Sequence, residues 1–183
     1  RRFFITSILI CIPLAFYYQM TNNFLKESGI EKPTGIMTFG QVSEVLCMLL
    51  LPLFFKRFGF KKTLMLGIGA WCLRYLLFSY GNVGEGMWML VLGIILHGIC
   101  YDFFFVSGQI YTDFKAGPKV KSAAQGLITL ATYGFGMMVG FLLAGAVGKK
   151  YTLPTGGHDW QMIWLIPAGF SLIVLLFFTL TFK

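Results

Sequence analysis

The sequence predicts an all-α integral membrane protein. Of its 183 residues, 57% are hydrophobic and 12% are charged, and the mean hydropathy is +0.75. A soluble domain covers its surface with a larger charged share, so this composition excludes a soluble globular protein. The apolar residues form runs of about 20, the helix length that crosses a hydrocarbon core about 30 Å thick.

Six such runs predict six transmembrane helices, at about residues 3–25, 36–55, 62–80, 87–112, 122–147 and 160–182. Gly, Pro and charged residues punctuate the chain between consecutive runs. In chain order these breaks read KESGIEKPTG, KRFGFKK, GNVGEG, DFKAGPKVK and KKYTLPTGGHD.

The fifth span carries two local signals. Ser122 and Gln125 have the spacing of a capping box, in which both side chains satisfy backbone groups at the helix start. Small residues further along favour close packing against a neighbouring helix. They are Gly134, Gly136, Gly140, Ala144 and Gly145.

Positive charge predicts the orientation. The net charge is +8, and most cations cluster in alternate breaks rather than along one helix face, which argues against nucleic-acid binding. By the positive-inside rule, both termini and the breaks after spans two and four are cytoplasmic. These cations are Arg1, Arg2, Lys56, Arg57, Lys61, Lys62, Lys115, Lys119, Lys121 and Lys183.

Several function classes lack a supporting motif. The four cysteines lie in apolar runs without a CxxC spacing or a nearby Cys/His group, which favours free thiols over disulfides or a metal site. No nucleophile motif or paired catalytic spacing indicates an enzyme. We therefore expect neither a metal nor an organic cofactor.

Two carboxylates, Glu44 and Asp102, lie inside apolar spans. A charged residue near the centre of a membrane helix is costly, so it normally faces a cavity, a partner or a transport path. Removal from water disfavours the charged form of a carboxyl, so either residue is a candidate for proton exchange.

Amide residues accompany Glu44. Gln19 and Asn22 are three residues apart near the end of the first span, and Gln41 and Glu44 repeat that spacing at the start of the second. Each pair shares a helix face, and a short break makes the two helices antiparallel neighbours. The four side chains therefore predict one polar pocket in the outer half, although amides also join helices without binding a ligand.

The fourth span reads LHGICYDFFFVSGQIY, and it places His97 and Tyr101 on one face with Asp102 on a neighbouring stripe. Rings beside hydrogen-bonding groups suit a flat, polar, heterocyclic ligand. For the run Phe103 to Phe105, core or lipid packing is favoured. Arg74 lies near the end of the third span. We expect its side chain to snorkel towards the lipid head groups rather than to pair with a carboxylate.

These residues together carry a family resemblance. The Gln19–Asn22 and Gln41–Glu44 pairs, the HGICYDFFFVSGQIYTD segment, SAAQGL and GGHDW resemble the C-terminal six-helix half of nucleoside/proton symporters of the major facilitator superfamily. The resemblance runs along nearly the whole chain. It implies one half of that fold, with a 3+3 inverted repeat and the N-terminal six-helix half absent.

The resemblance also implies a mechanism. Gln19, Asn22, Gln41 and Glu44 would bind a nucleoside, with the site completed by His97, Tyr101 and Asp102, and protons would be the coupling ion. Uptake would proceed by alternating access in a bacterial inner membrane, and Asp102 is the first candidate for the proton. Family members tend to have Tyr and Phe where this chain has His97 and Tyr101. The alternatives are a proton-coupled transporter of another small polar solute and a non-transporting membrane scaffold.

Overall fold

The computed structural model describes residues 2–182, so Arg1 and Lys183, both predicted to be cytoplasmic, lie outside the described residues. Within that range, five helices are long and apolar enough to cross a membrane. They are α1 (Arg2–Glu27), α2 (Pro33–Tyr80), α3 (Met87–Ala116), α4 (Lys121–Lys150) and α5 (Trp160–Thr181). The predicted span ends agree with these bounds to about one helical turn.

The structure has five such helices where six were predicted, because the second and third spans fall in one helical range. The 48 residues of α2 would extend about 70 Å if straight, more than twice the thickness of a hydrocarbon core. Gly59 interrupts α2 with φ 72° and ψ 172°, a backbone conformation that favours glycine. The KRFGFKK break is therefore a bend at one glycine rather than a loop.

The two arms of α2, residues 33–58 and 60–80, run in opposite directions along α3. In the first arm, Ser43 contacts Gly98 and the Phe54 ring lies 4.6 Å from the Phe103 ring, so residue numbers rise together. In the second arm, Gly67 contacts Phe104 and Phe78 contacts Gly93. Residue numbers on α3 therefore fall as they rise along this arm. The chain thus folds back at Gly59, and both arms pack against one helix.

Helices α3 and α4 are not regular throughout. A π-helical segment, Asp102–Val106, lies within α3, and another, Leu130–Gly136, lies within α4. Each wider turn changes the direction in which the following side chains point, and such segments occur frequently at functional sites. Periodicity in the sequence gave no sign of either segment.

Glycines bring α1 and α4 into close contact. A Cβ on Gly136 would lie 2.9 Å from Cys11 Cβ, and one on Gly140 would lie 2.6 Å from Ala15 Cβ. The predicted packing role is confirmed for these two positions. Among residues 2–182, a Cβ on Gly134 would meet Leu130 of its own helix and no residue of α1, so Gly134 does not take part in this contact.

The predicted capping box at the start of α4 is wrong. No side chain caps the helix there, because the Gln125 amide nitrogen donates instead to Asp113 Oδ1 at 2.6 Å and to the Gln109 carbonyl oxygen at 2.8 Å. Lys121 adds an ion pair, with its Nζ 2.7 Å from Asp113 Oδ2. The end of α3 and the start of α4 are therefore joined by side chains.

Glu27, at the end of α1, binds the GGHDW segment that precedes α5. Its carboxylate accepts hydrogen bonds from the His158 backbone nitrogen at 3.0 Å and from Trp160 Nε1 at 2.8 Å, and it lies 2.9 Å from His158 Nδ1. Gly157 has φ 81° and no side chain, which lets the loop pass close to that carboxylate. Asp159 then caps α5 by accepting from the Met162 backbone nitrogen.

Candidate functional site

Asp102 opens the π-helical segment of α3 and is fully buried. Neither carboxyl oxygen has a hydrogen-bond partner among residues 2–182. Burying an unpaired carboxylate is costly, so the group requires a proton, a ligand or a partner outside the described residues. That Asp102 faces a cavity, a partner or a transport path stays a prediction.

Glu44 lies against His97 rather than against an amide residue. Its Oε2 atom is 3.9 Å from His97 Nε2, and its side chain is 29% exposed whereas that of His97 is 8% exposed. Glu44 therefore keeps contact with open space while one oxygen faces the imidazole. The structure brings these two predicted site residues together from α2 and α3.

Arg74 reaches His97 from the other side, which corrects the expectation that it snorkels. The arginine side chain is fully buried, and its Nη1 atom lies 2.9 Å from His97 Nδ1. The aromatic ring of Tyr17 also lies 3.5 Å from the guanidinium carbon. A guanidinium stacked on a ring and bonded to an imidazole can remain inside, so the nearby helix end does not draw it to the surface.

Tyr17 joins this group through its ring. The Tyr17 and His97 rings are stacked with centroids 4.9 Å apart and an interplanar angle of 25°. Neither Tyr17 nor Arg74 was a predicted site residue. Only the fold shows their role, because the contact joins α1, the second arm of α2, and α3.

The amide residues occupy a more open position. Gln19 and Gln41 are exposed and Asn22 is half-buried. No hydrogen bond joins Gln19 or Asn22 to Gln41 or Glu44 within the part of the chain that is described. The prediction that these four side chains line one polar pocket stays a prediction.

Tyr101 pairs with a residue that the sequence did not suggest. Its hydroxyl lies 2.6 Å from the hydroxyl of Tyr133, which belongs to the π-helical segment of α4. The Phe105 ring lies 5.4 Å from Tyr101 and 5.8 Å from Tyr133. The rings from Phe103 to Phe105 are all buried, as the packing interpretation predicted.

Two sizeable cavities contain none of the predicted site residues. One of about 630 Å³ lies among the ends of α1, α3, α4 and α5, and one of about 900 Å³ is lined by both arms of α2 together with Ile99 of α3 and Leu175 of α5. The candidate residues instead form an open wall in which Gln19 and Gln41 are exposed, whereas Asp102 and His97 are buried. A wall of this kind encloses a ligand only when a second body faces it.

Comparison with known proteins decides the family. A family model described as "Nucleoside H+ symporter" matches residues 2–183. The chain belongs to the nucleoside H+ symporter family. It is therefore a multi-pass membrane protein from a family of transporters rather than of enzymes.

Two named relatives support the assignment to the nucleoside H+ symporter family. The chain is 44% identical to "Putative nucleoside transporter YegT" of Escherichia coli K12 over 188 residues, which cover 99% of this chain and 44% of YegT. It is 35% identical to "Nucleoside permease NupG" of the same strain over 192 residues, which cover 99% of this chain and 46% of NupG. The chain thus spans less than half the length of these relatives.

A solved structure supports the same fold. The crystal structure of the nucleoside transporter NupG matches with a TM-score of 0.89 and 34% sequence identity. The match covers 99% of this chain and 47% of that chain. The helical architecture of residues 2–182 is therefore that of about half of a transporter in this family.

Proposed function

We propose that this chain forms the C-terminal half of a proton-coupled nucleoside transporter in a bacterial inner membrane. Its family membership and the printed names of YegT and NupG support nucleosides as the substrate class. Because the chain spans 44% of YegT and 46% of NupG, an N-terminal six-helix half would supply the facing wall of the cavity. The substrate would bind between the two halves, near the membrane midplane.

The observation that carries this proposal is the burial of the Asp102 carboxyl without a hydrogen-bond partner. A fully buried carboxyl with two unpartnered oxygens is suited to taking up a proton on one side of a membrane and releasing it on the other. Among residues 2–182, no basic side chain forms an ion pair with it. Asp102 is therefore our first choice for the coupled proton.

Glu44 would act on the substrate side. It lies in the same arm of α2 as Gln41, and its partly exposed carboxylate can accept hydrogen bonds from ribose hydroxyls. Gln19, Gln41 and Asn22 offer amide donors and acceptors that suit a nucleobase edge. Rings near His97 would add stacking area on the same wall.

Alternating access completes the proposal. The six predicted spans, with α2 counted as two arms, would form two inverted three-helix repeats, and both termini would be cytoplasmic by the positive-inside rule. Substrate and proton would bind while the cavity faces outward and leave when the halves rock. Protons would be the coupling ion, and no organic cofactor is needed for this cycle.

The test uses the intact transporter that contains this chain, reconstituted in proteoliposomes. Uridine or adenosine accumulation driven by an inward proton gradient is compared with counterflow, which needs substrate binding but no net proton movement. We expect Asp102→Asn to abolish accumulation while keeping counterflow, and Glu44→Gln to weaken both. Asp113→Asn is the matched control on the same helix, because Asp113 is already paired with Lys121.

Three results would count against the proposal. Uncoupler-sensitive accumulation at the parent level in both Asp102→Asn and Glu44→Gln would remove the proposed coupling site. Counterflow of sugars or nucleobases but not of nucleosides would show that nucleosides are not the substrate class. If nucleoside affinity depends on pH in Asp102→Asn as it does in the parent, another residue binds the coupled proton.

A further inference from the structure

Arg74 is a buried cation without a carboxylate partner. The side chain is fully buried, and among residues 2–182 no Asp or Glu lies within ion-pair distance of it. Its Nε and Nη2 atoms also lack hydrogen-bond partners in this part of the chain. Its Nη1 atom makes a hydrogen bond to His97 Nδ1 at 2.9 Å.

The direction of this hydrogen bond fixes the proton on the imidazole. A guanidinium stays protonated in proteins and has donors but no acceptor, so His97 Nδ1 must be the acceptor and must carry no hydrogen. A neutral imidazole then has its single proton on Nε2. That atom faces Glu44 Oε2 at 3.9 Å, on the side where the wall is open.

Charged and titratable neighbours favour this neutral form. A second proton on Nδ1 would place an imidazolium against the guanidinium, at a buried position where like charges repel strongly. Glu44 acts in the opposite direction, but it is farther from the imidazole and is partly exposed to solvent screening. The rings of Tyr17 and Tyr101 also lie against the imidazole, with centroids 4.9 and 5.7 Å away.

We infer that Arg74 is a positioning residue that holds His97 neutral with its Nε2 proton directed towards Glu44 and the substrate. This inference rests on the proposed function and extends it, because it assigns His97 the role of a fixed hydrogen-bond donor and excludes it as the carrier of the coupled proton. Arg74 acts through His97 and touches no substrate atom. Without Arg74, the like-charge repulsion against an imidazolium would be absent, so a charged His97 would be able to pair with Glu44 and withdraw it from the substrate.

The first test reads the imidazole directly in the intact transporter. Nitrogen NMR spectra of histidine-labelled protein, taken as the difference between parent and His97→Asn, isolate the His97 signals. We expect a protonated Nε2 and a bare Nδ1 throughout pH 5.5–7.5 (about one unit either side of the ordinary His value). An Nδ1-protonated tautomer or an imidazolium in the parent protein within that range would overturn the inference. This readout does not depend on transport or on nucleoside binding.

The second test measures the pH dependence of nucleoside affinity in Arg74→Gln. A charged His97 that withdraws Glu44 lowers the binding-competent fraction, so the dissociation constant should rise more between pH 7.5 and 5.5 in Arg74→Gln than in the parent, by about threefold if two thirds of His97 is charged at pH 5.5. Arg57→Gln, in the first arm of α2, is the matched control and should follow the parent. Adding His97→Asn to Arg74→Gln should remove the extra pH dependence.

The outcomes separate the two proposals. Extra pH dependence that persists in the Arg74→Gln/His97→Asn double variant would assign the effect to another group and overturn the role of Arg74. The NMR result on the parent decides the tautomer even where Arg74→Gln fails to fold. A protein with the expected tautomer but no nucleoside binding would contradict the proposed function while leaving the Arg74–His97 arrangement intact.

Discussion

Gly98 lies at the closest approach between α3 and the first arm of α2, next to His97. A Cβ at this position would overlap Ser43 Oγ and would lie 2.5 Å from the Ser43 carbonyl carbon and oxygen. Ordinary contact for such an atom is 3.4–4 Å, so Gly98→Ala requires the two backbones to separate. The Ser43 neighbour is backbone as well as side chain, so a rotamer change cannot relieve the contact.

The magnitude follows from three contributions. Forcing an extra carbon into a packed contact costs about 1–3 kcal/mol. Separation would also weaken the hydrogen bond from the Gly98 backbone nitrogen to Ser43 Oγ, now 3.2 Å, at a cost of about 1 kcal/mol. Alanine regains about 1 kcal/mol through its higher helix propensity. We expect a net loss of about 1–3 kcal/mol in the free energy of unfolding.

Separation of the two backbones should also weaken nucleoside binding, because it moves His97, on α3, away from Glu44, on the first arm of α2. Unfolding of the intact transporter in mixed micelles, read by circular dichroism, gives the stability, and equilibrium binding gives the affinity. Gly169→Ala in α5 is the control, since no atom lies within 4 Å of its added carbon. That variant should be as stable as the parent or more stable by up to about 1 kcal/mol. If both variants agree to within about 0.5 kcal/mol and bind equally well, the close contact is refuted.

Three further substitutions test other contacts. Tyr133→Phe removes the hydroxyl that pairs with Tyr101, so it should cost about 1 kcal/mol of unfolding free energy and change nucleoside affinity; an effect on neither would place this pair outside the site. Glu27→Gln should weaken the hydrogen bonds that hold the loop between α4 and α5 and speed hydrogen exchange there. Glu31→Gln, at an exposed position, should leave exchange in this loop unchanged. Equal exchange in both variants would contradict the anchoring role of Glu27. Gln125→Ala should lower the unfolding free energy by about 1 kcal/mol by releasing the start of α4 from the end of α3, and parent-like unfolding would show that this tie adds no stability.

Local sequence signals predicted the spans well and the contacts between them less well. The bounds of α1, α3, α4 and α5 follow apolar runs, because hydrophobic length is a property of each segment alone. Gly136 and Gly140 were identified as packing residues because small side chains admit a neighbour whichever helix it is. The capping box failed because Gln125 found better partners on α3, which no local spacing reveals.

The candidate site shows the same division. Asp102 and Glu44 were chosen as candidates from sequence because a carboxylate in an apolar run is unusual wherever it points. Their surroundings were not found in this way: Arg74 meets His97 across 23 residues of sequence, and Tyr101 meets Tyr133 across 32. Such pairs depend on which helix faces meet, and the π-helical segments of α3 and α4 rotate those faces.

By itself, the sequence determined the membrane class, the positions of the spans and the costly polar residues within them, because the lipid solvent acts on each segment separately. The tertiary structure decided that the chain folds back at Gly59, that Arg74 stays inside, and that His97 lies between a guanidinium and a carboxylate. These features arise only when distant segments pack together. Packing sets the distances and directions of hydrogen bonds, and those in turn fix where a proton can reside.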